Sequence, residues 1–130
     1  MKPEICVYYI GENNEDFVTM SLRSVLEFAD HVIFLEGHHD PNEETLTVKA
    51  IQSLNDERIE IHRIPFEHYH LGANGRQRNR ALDIIKEKWP SSWVLRLDPD
   101  EVVDENGYKL RQLAEWGEQN GIFCFNLKME

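Results

Sequence analysis

The stretch Trp93-Val94-Leu95-Arg96-Leu97-Asp98-Pro99-Asp100-Glu101 begins as an apolar, strand-like run and ends in three closely spaced carboxylates. Carboxylates at this spacing repel one another, so they usually share a cation. In an open α/β sheet, the carboxyl ends of the strands are also where ligands bind. The stretch therefore predicts a strand whose end holds a divalent metal ion and, through it, a phosphorylated ligand.

The composition is that of an ordinary globular protein with an acidic balance. The chain has 130 residues, 41% of them hydrophobic and 29% charged, which is enough for one domain with a core. A net charge of −10 disfavours a nucleic-acid or anionic-membrane surface, although a metal and a few arginines can still hold a small anion in one cleft. We expect a single domain over residues 1–130 and no nucleic-acid partner.

Neither the cysteines nor the amino terminus indicates export. Cys6 and Cys124 lie in apolar, strand-like runs, which predicts two buried free thiols and no disulfide. The start, Met1-Lys2-Pro3-Glu4, lacks the apolar core of a signal peptide, and no apolar run is long enough to span a bilayer. We expect a reducing, cytoplasmic setting with at most peripheral membrane contact.

Strand-like and amphipathic stretches alternate along the chain. The expected strands are 5–10, 31–35, 58–64, 93–97 and 122–127. The expected helices are 17–28, 43–54, 76–88 and 104–120, with Asp16 as the N-cap of the first and Gly121 ending the last. This alternation predicts an α/β sandwich with a mostly parallel sheet. Because the chain stops directly after an expected strand, we expect it to be truncated from something longer.

Asp98 and Asp100 are the candidate metal ligands. Mg²⁺ and Mn²⁺ prefer oxygen ligands and often take only one or two from the protein, while phosphate oxygens complete the shell. If the backbone stays extended, alternation puts both carboxylates on the same side, and Pro99 restricts the backbone between them. The alternative is a solvated acidic turn. An EF-hand fails on spacing, because Val103 stands where its loop needs a glycine.

One basic cluster, Arg76-Gln77-Arg78-Asn79-Arg80, follows Gly72-Ala73-Asn74-Gly75 where a helix is expected to begin. Backbone N–H groups at a helix start and arginine side chains both favour phosphate. We expect Arg76 or Arg78 to contact a diphosphate on one side, with the metal on the other. The alternative is that these arginines pair with surface carboxylates. Neither a dinucleotide GxGxxG motif nor a P-loop occurs in the sequence.

Glu36 ends the second expected strand. A carboxylate there can accept hydrogen bonds from a nucleobase or a ribose, and Asp40 is a weaker candidate in the following loop. The alternative is that Glu36 is a solvent-facing strand end.

Histidines raise the alternative of a zinc site. The six include the pair His38-His39, the single His62, and the stretch His68-Tyr69-His70. His-x-His is a known ligand spacing, but no third and fourth ligands are evident and neither cysteine lies in a polar loop.

Taken in order, these segments resemble the family 2 glycosyltransferases of the GT-A fold, a Rossmann-like three-layer α/β/α sandwich. The stretch ICVYYIGENNEDFVTMSLRSVLEFADHVIFLEG resembles the opening strand, helix and acid-ended second strand. PNEETLTVKAIQSLNDERIEIHRI resembles the next helix and strand. The strongest match is GANGRQRNRALDIIKEKWPSSWVLRLDPDE, which resembles the helix that leads into the Asp-x-Asp strand.

The resemblance implies a transferase that depends on Mn²⁺ or Mg²⁺. It would bind a nucleotide-diphosphate sugar donor and pass the sugar to an unknown glycan, lipid or protein acceptor. In that family pattern, Tyr9 to Glu12 would line the nucleotide pocket, and Glu36 would contact the nucleobase. Arg78-Asn79 would lie near the diphosphate, Asp98 would contact the ribose or support the metal, and Asp100 would ligate the metal.

The chain departs from the family in two places. The loop Glu36-Gly37-His38-His39-Asp40 is shorter than the usual one and carries histidines. Inverting members place their catalytic base well downstream of Asp-x-Asp, beyond this chain, so no base is assigned. Two other functions stay open: a non-catalytic nucleotide-sugar-binding module or remnant, and a nucleotidyltransferase. The nucleotide, the sugar, the acceptor and the oligomeric state also stay open.

Overall fold

A computed structural model describes residues 2–66 and 73–127, with backbone alone for residues 73 and 74. The strands are β1 (Ile5–Gly11), β2 (His31–Glu36), β3 (Ile59–Arg63) and β4 (Trp93–Leu97). The helices are α1 (Val18–Leu26), α2 (Leu46–Gln52), α3 (Ala73–Lys88) and α4 (Lys109–Asn120). The predicted α/β alternation is therefore confirmed over the first eight elements.

The four strands form one parallel sheet in the order β3-β2-β1-β4. Central strand β1 is almost continuously apolar, as expected for a parallel strand covered on both faces. The register places Gly11 beside Glu36 on one side and Tyr9 beside Leu97 on the other. Strand order reverses between β1 and β4, so a crevice is expected there at the carboxyl edge.

Helices cover both faces of the sheet, which confirms the predicted three layers. On one face, α1, α2 and α4 pack with a cluster that includes Tyr9, Leu22 and Phe34. On the other face, α3 packs Ala81 and Ile85 against Cys6, Ile33 and Leu35. The strands β1 and β2 therefore send alternate side chains into two separate apolar cores.

Two helix starts differ from the sequence-based expectation. Phe17, and not Asp16, precedes α1, and no side chain caps that helix. Helix α4 begins only at Lys109, because Asp104 accepts a hydrogen bond from the backbone N–H of Asn106 and forms a local turn instead. The predicted end of α4 is confirmed, since Gly121 adopts the left-handed conformation there with φ of 70°.

The expected last strand is wrong. Residues 122–127 form no strand, and Phe123 is 79% exposed. The segment turns back on α4, where the backbone N–H of Ile122 donates to the carbonyl of Gly117. The ring of Phe125 stacks on Trp93 of β4 at 5.7 Å and lies 6.3 Å from Trp116 of α4. Aromatic packing against the end of α4 therefore replaces strand pairing.

The two cysteines lie in different environments. Cys6 is completely buried in β1, as predicted, whereas Cys124 is exposed in the segment after α4. The expectation of two buried thiols is therefore wrong for Cys124, because the strand that would have buried it does not form. Burial, with smaller contributions from Glu60 and Glu4, raises the pKa of the Cys6 thiol to about 12.

Thiol labelling should distinguish these environments. At pH 8 the folded chain is expected to react with a chromogenic disulfide reagent at one thiol, because thiolate formation and access are both suppressed at Cys6. The Cys124→Ser variant should show no fast labelling until denaturant is added. Rapid reaction of that folded variant would contradict the burial of Cys6.

None of the helices in the described part of the chain is long and apolar enough to cross a bilayer.

Candidate functional site

A cavity of about 330 Å³ opens at the carboxyl edge, where β1 and β4 are neighbours and the strand order reverses. Its walls come from the end of β1, the loop after it, the segment after β3, helix α3 and the end of β4. The lining residues are Ile10, Gly11, Glu12, Asn14, Phe66, Arg78, Arg96 and Asp98. This position is where open α/β sheets bind ligands.

A larger groove of about 780 Å³ lies at the amino end of β3, between that strand and α2. Its arginine, Arg58, is held by the carboxylate of Asp56 and by the carbonyl oxygens of Leu26 and Ala29. The pKa of Asp56 is lowered mainly by this hydrogen bond from Arg58. Because these charges satisfy each other and the groove lies at the amino end of β3, away from the carboxyl ends of the strands, we place the candidate site in the smaller cavity.

Charges of both signs line the cavity. Glu12 and Asp98 are its carboxylates, and Arg78 and Arg96 are its cations among the described lining. An Arg96 guanidinium nitrogen lies 3.6 Å from Asp98 Oδ1, with side chains 44% and 59% exposed. Exposed pairs of this kind contribute about 0–1 kcal/mol, so a ligand can replace the contact at little cost.

The basic cluster at the start of α3 reaches the cavity through Arg78. Arg76 is exposed and does not line it. The buried Gln77 fixes this end of the helix, because its amide nitrogen donates to the carbonyl of Ile64 at 2.8 Å. Of the two arginines expected near a diphosphate, Arg78 is therefore the one in position.

Gly11 allows the loop after β1 to pack closely against the turn after β4. A Cβ atom on Gly11 would lie 2.2 Å from Asn14 Oδ1 and 2.8 Å from Pro99 Cγ. Asn14 Oδ1 is buried and has no hydrogen-bond partner in the described structure. An unmet buried acceptor costs about 1–3 kcal/mol, so a ligand hydroxyl or N–H group donating to Asn14 would be favoured.

The acidic stretch after β4 forms a tight turn. Strand β4 ends at Leu97, the backbone N–H of Glu101 donates to the Asp98 carbonyl at 2.9 Å, and Glu101 Oε1 accepts from the Asp98 N–H at 2.7 Å. The backbone does not stay extended beyond Leu97, so the condition on which Asp98 and Asp100 were expected to share one side is not met. Asp98 lines the cavity, whereas Asp100 is exposed in the turn outside the lining.

Tyr9 does not line the cavity, which corrects the prediction made for it. Its side chain is fully buried, its ring stacks on Phe34 at 5.7 Å, and its hydroxyl lies 2.8 Å from Ser21 Oγ. Burial raises its pKa, so the hydroxyl stays neutral. Alternation along β1 turns this side chain towards α1, whereas Glu12, beyond the strand, does reach the cavity.

Glu36 is 1% exposed, so it is not the solvent-facing strand end that was the alternative. One carboxylate oxygen accepts from the backbone N–H of His38, and the other accepts from the hydroxyl of Thr45 at 2.6 Å. Arg63 lies 3.4 Å from the second oxygen. The carboxylate would have to leave these partners to contact a nucleobase, so in this structure it holds the loop after β2.

Asn14, Arg96 and Phe66 were not among the residues predicted for the site. The polar run Gly11-Glu12-Asn13-Asn14 after an apolar strand was a usable signal for Asn14. Arg96 was visible as a charge inside an apolar strand. His68, His70 and Gly72 lie outside the described residues.

Comparison with protein-family models finds no match for this sequence, and comparison with curated proteins finds none either.

Proposed function

We propose that the chain is the donor-binding portion of a metal-dependent glycosyltransferase. The observation that carries this proposal is the meeting of Glu12, Arg78 and Asp98 around one cavity. These residues come from three segments far apart in sequence, and each of them is predicted from the sequence as a donor-site residue. A nucleotide-diphosphate sugar in this cavity would place its charged diphosphate between Arg78 and the Asp98 turn.

The residues present fit a hard divalent cation. Asp98 offers the cavity the carboxylate oxygens that Mg²⁺ and Mn²⁺ prefer, and these ions need few protein ligands when phosphate oxygens are available. When bound, such an ion neutralises charge that develops on a departing nucleoside diphosphate. Arg78 would bind the diphosphate oxygens, and Asn14 would accept a hydrogen bond from a ribose or base donor.

A non-catalytic nucleotide-sugar-binding module is the second candidate. Glu12 and Asp98 are the carboxylates of the described lining, and both belong to the donor side of the proposed site. No carboxylate of that lining is then left to deprotonate an acceptor hydroxyl. Sugar transfer to any acceptor by the purified chain would exclude this second candidate.

Calorimetric titration with uridine diphosphate, with and without Mn²⁺, tests the proposal. Binding is expected only with the metal, and a panel of nucleoside diphosphates would identify the base. The variants Arg78→Gln and Asp98→Asn should each weaken binding about 10- to 100-fold, because a hydrogen bond to a charged group contributes roughly 1.5–3 kcal/mol.

Matched controls are available on exposed helix surfaces. Arg23→Gln on α1 and Asp83→Asn on α3 make the same charge changes outside the cavity lining and should bind like the parent chain. Folding of all four variants is checked by circular dichroism. Absence of binding for every nucleoside diphosphate by the folded chain would reject the donor site. Pyrophosphate release from a nucleoside triphosphate and a sugar phosphate would favour a nucleotidyltransferase.

A further inference from the structure

The loop between β2 and α2 brings together three side chains that commonly bind transition metals. His38, His39 and Glu43 each offer a ligand atom, and these three atoms all lie within 4.8 Å of one another. None of the three lines the cavity at β1 and β4. We propose that this His38–His39–Glu43 cluster is a second metal site, which binds Zn²⁺ or a similar imidazole-preferring ion independently of any nucleotide.

The cluster is close to the geometry that one ion requires. His38 Nε2 lies 2.6 Å from Glu43 Oε2, and the two imidazole rings are 4.2 Å apart with a 50° tilt. Zn²⁺ binds nitrogen and oxygen at about 2.0–2.2 Å in tetrahedral sites, which puts neighbouring ligand atoms about 3.4 Å apart. Glu43 and His39 are exposed, so their side chains can make the small rotations that this spacing needs.

The backbone that carries the cluster is fixed without any ion. Glu36 accepts from the His38 N–H at one end of the loop, and at the other end Thr45 caps α2 by accepting from the Val48 N–H. An Arg63 guanidinium nitrogen donates to the Glu43 carbonyl at 2.7 Å. An ion would therefore order side chains only, which lowers the entropy cost of binding.

The charges near the cluster favour a cation. Arg63 approaches from β3, but buried Glu36 lies 3.4 Å from its guanidinium and offsets its charge. The carboxylate of Glu43 then adds a negative charge beside two imidazoles. Imidazole ligands favour Zn²⁺, Co²⁺, Ni²⁺ or Cu²⁺ over Mg²⁺ and Mn²⁺, so this site and the proposed Asp98 site would take different ions. Water would complete the coordination of the three protein ligands.

Titration of the metal-free full chain with Co²⁺ tests the proposal, because Co²⁺ reports low-coordinate nitrogen and oxygen ligation in its visible spectrum. Competition with a chromophoric chelator then gives the Zn²⁺ affinity. One equivalent is expected to bind without nucleotide. His39→Ala and Glu43→Gln should each weaken Zn²⁺ binding by at least about tenfold, since even outer-shell changes cost 10- to 100-fold at metal sites.

The double variant His68→Gln/His70→Gln is the matched control, because it removes two imidazoles elsewhere in the sequence. Its expected affinity is that of the parent chain. The proposal is overturned by a failure of the folded parent chain to bind one equivalent, or by loss of binding in the control while His39→Ala still binds. A Co²⁺ spectrum typical of six oxygen ligands would overturn it as well.

Discussion

Replacing Phe34 with alanine is expected to lower the free energy of unfolding by about 3–5 kcal/mol, the usual cost of removing a large aromatic side chain from a core. Phe34 lies in β2, is completely buried and stacks on Tyr9. The strand β2 is hydrogen-bonded to a neighbouring strand on each side, so its backbone cannot easily move to fill the cavity. A small domain has only about 5–15 kcal/mol in total, so much of the stability is lost.

Urea unfolding followed by circular dichroism measures this change, and Phe123→Ala is its matched control. Phe123 is 79% exposed, so the same chemical truncation should alter stability by no more than about 0.5 kcal/mol. Equal effects of the two substitutions would contradict both the buried position of Phe34 and the exposed position of the segment after α4.

Replacing Glu36 with alanine is also expected to have a large effect and to lower the free energy of unfolding by about 3 kcal/mol. The substitution removes the acceptor for the His38 N–H and the Thr45 hydroxyl, and it leaves Arg63 without its buried counter-charge. Glu44→Ala, an exposed change in the same loop, should cost no more than about 0.5 kcal/mol. Thermal and urea unfolding of both variants provide the comparison.

The Glu36 variant also separates two roles for this carboxylate. If Glu36 is a structural residue, the Glu36→Ala variant should be less stable, while its folded fraction still binds nucleoside diphosphate as the parent chain does. If Glu36 contacted the base instead, stability would change little and the preference among nucleotides would be lost. Measuring binding well below the unfolding temperature keeps these two results distinct.

Most of the fold could be predicted because the buried parallel strands are nearly continuous apolar runs. β1 and β2 are such runs, and α1 between them buries the apolar residues Val18, Leu22 and Val25 on one face. The same criterion failed at 122–127, where Phe125 packs on Trp93 and on Trp116 of α4 while Phe123 is exposed. An apolar run favours a buried strand, but a strand forms only beside a neighbouring strand. The residues of the run carry no information about whether that neighbour is present.

Residues of the candidate site could be predicted where their place follows from their position along a strand, and they were missed where it depends on tertiary contacts. Asp98 follows the end of β4, so the parallel topology places it at the carboxyl edge of the sheet, where the cavity lies. Asn14 enters the site only because Gly11 allows the loop to fold over. The prediction for Tyr9 was wrong because its side chain is on the side of β1 that faces α1. Asp100 lies outside the cavity lining because the backbone forms a turn between Asp98 and Glu101.

The pairing of β1 with β4 also governs how the chain can fold during synthesis. Ile5 lies beside Trp93, so β1 gains its second neighbour only after β2, β3 and the helices between them have been made. Until then β1 is an exposed edge, which is the part of a sheet most prone to pair with another chain. Because such distant contacts slow folding, a ribosome-bound intermediate with β1, β2 and β3 is expected to precede the complete sheet.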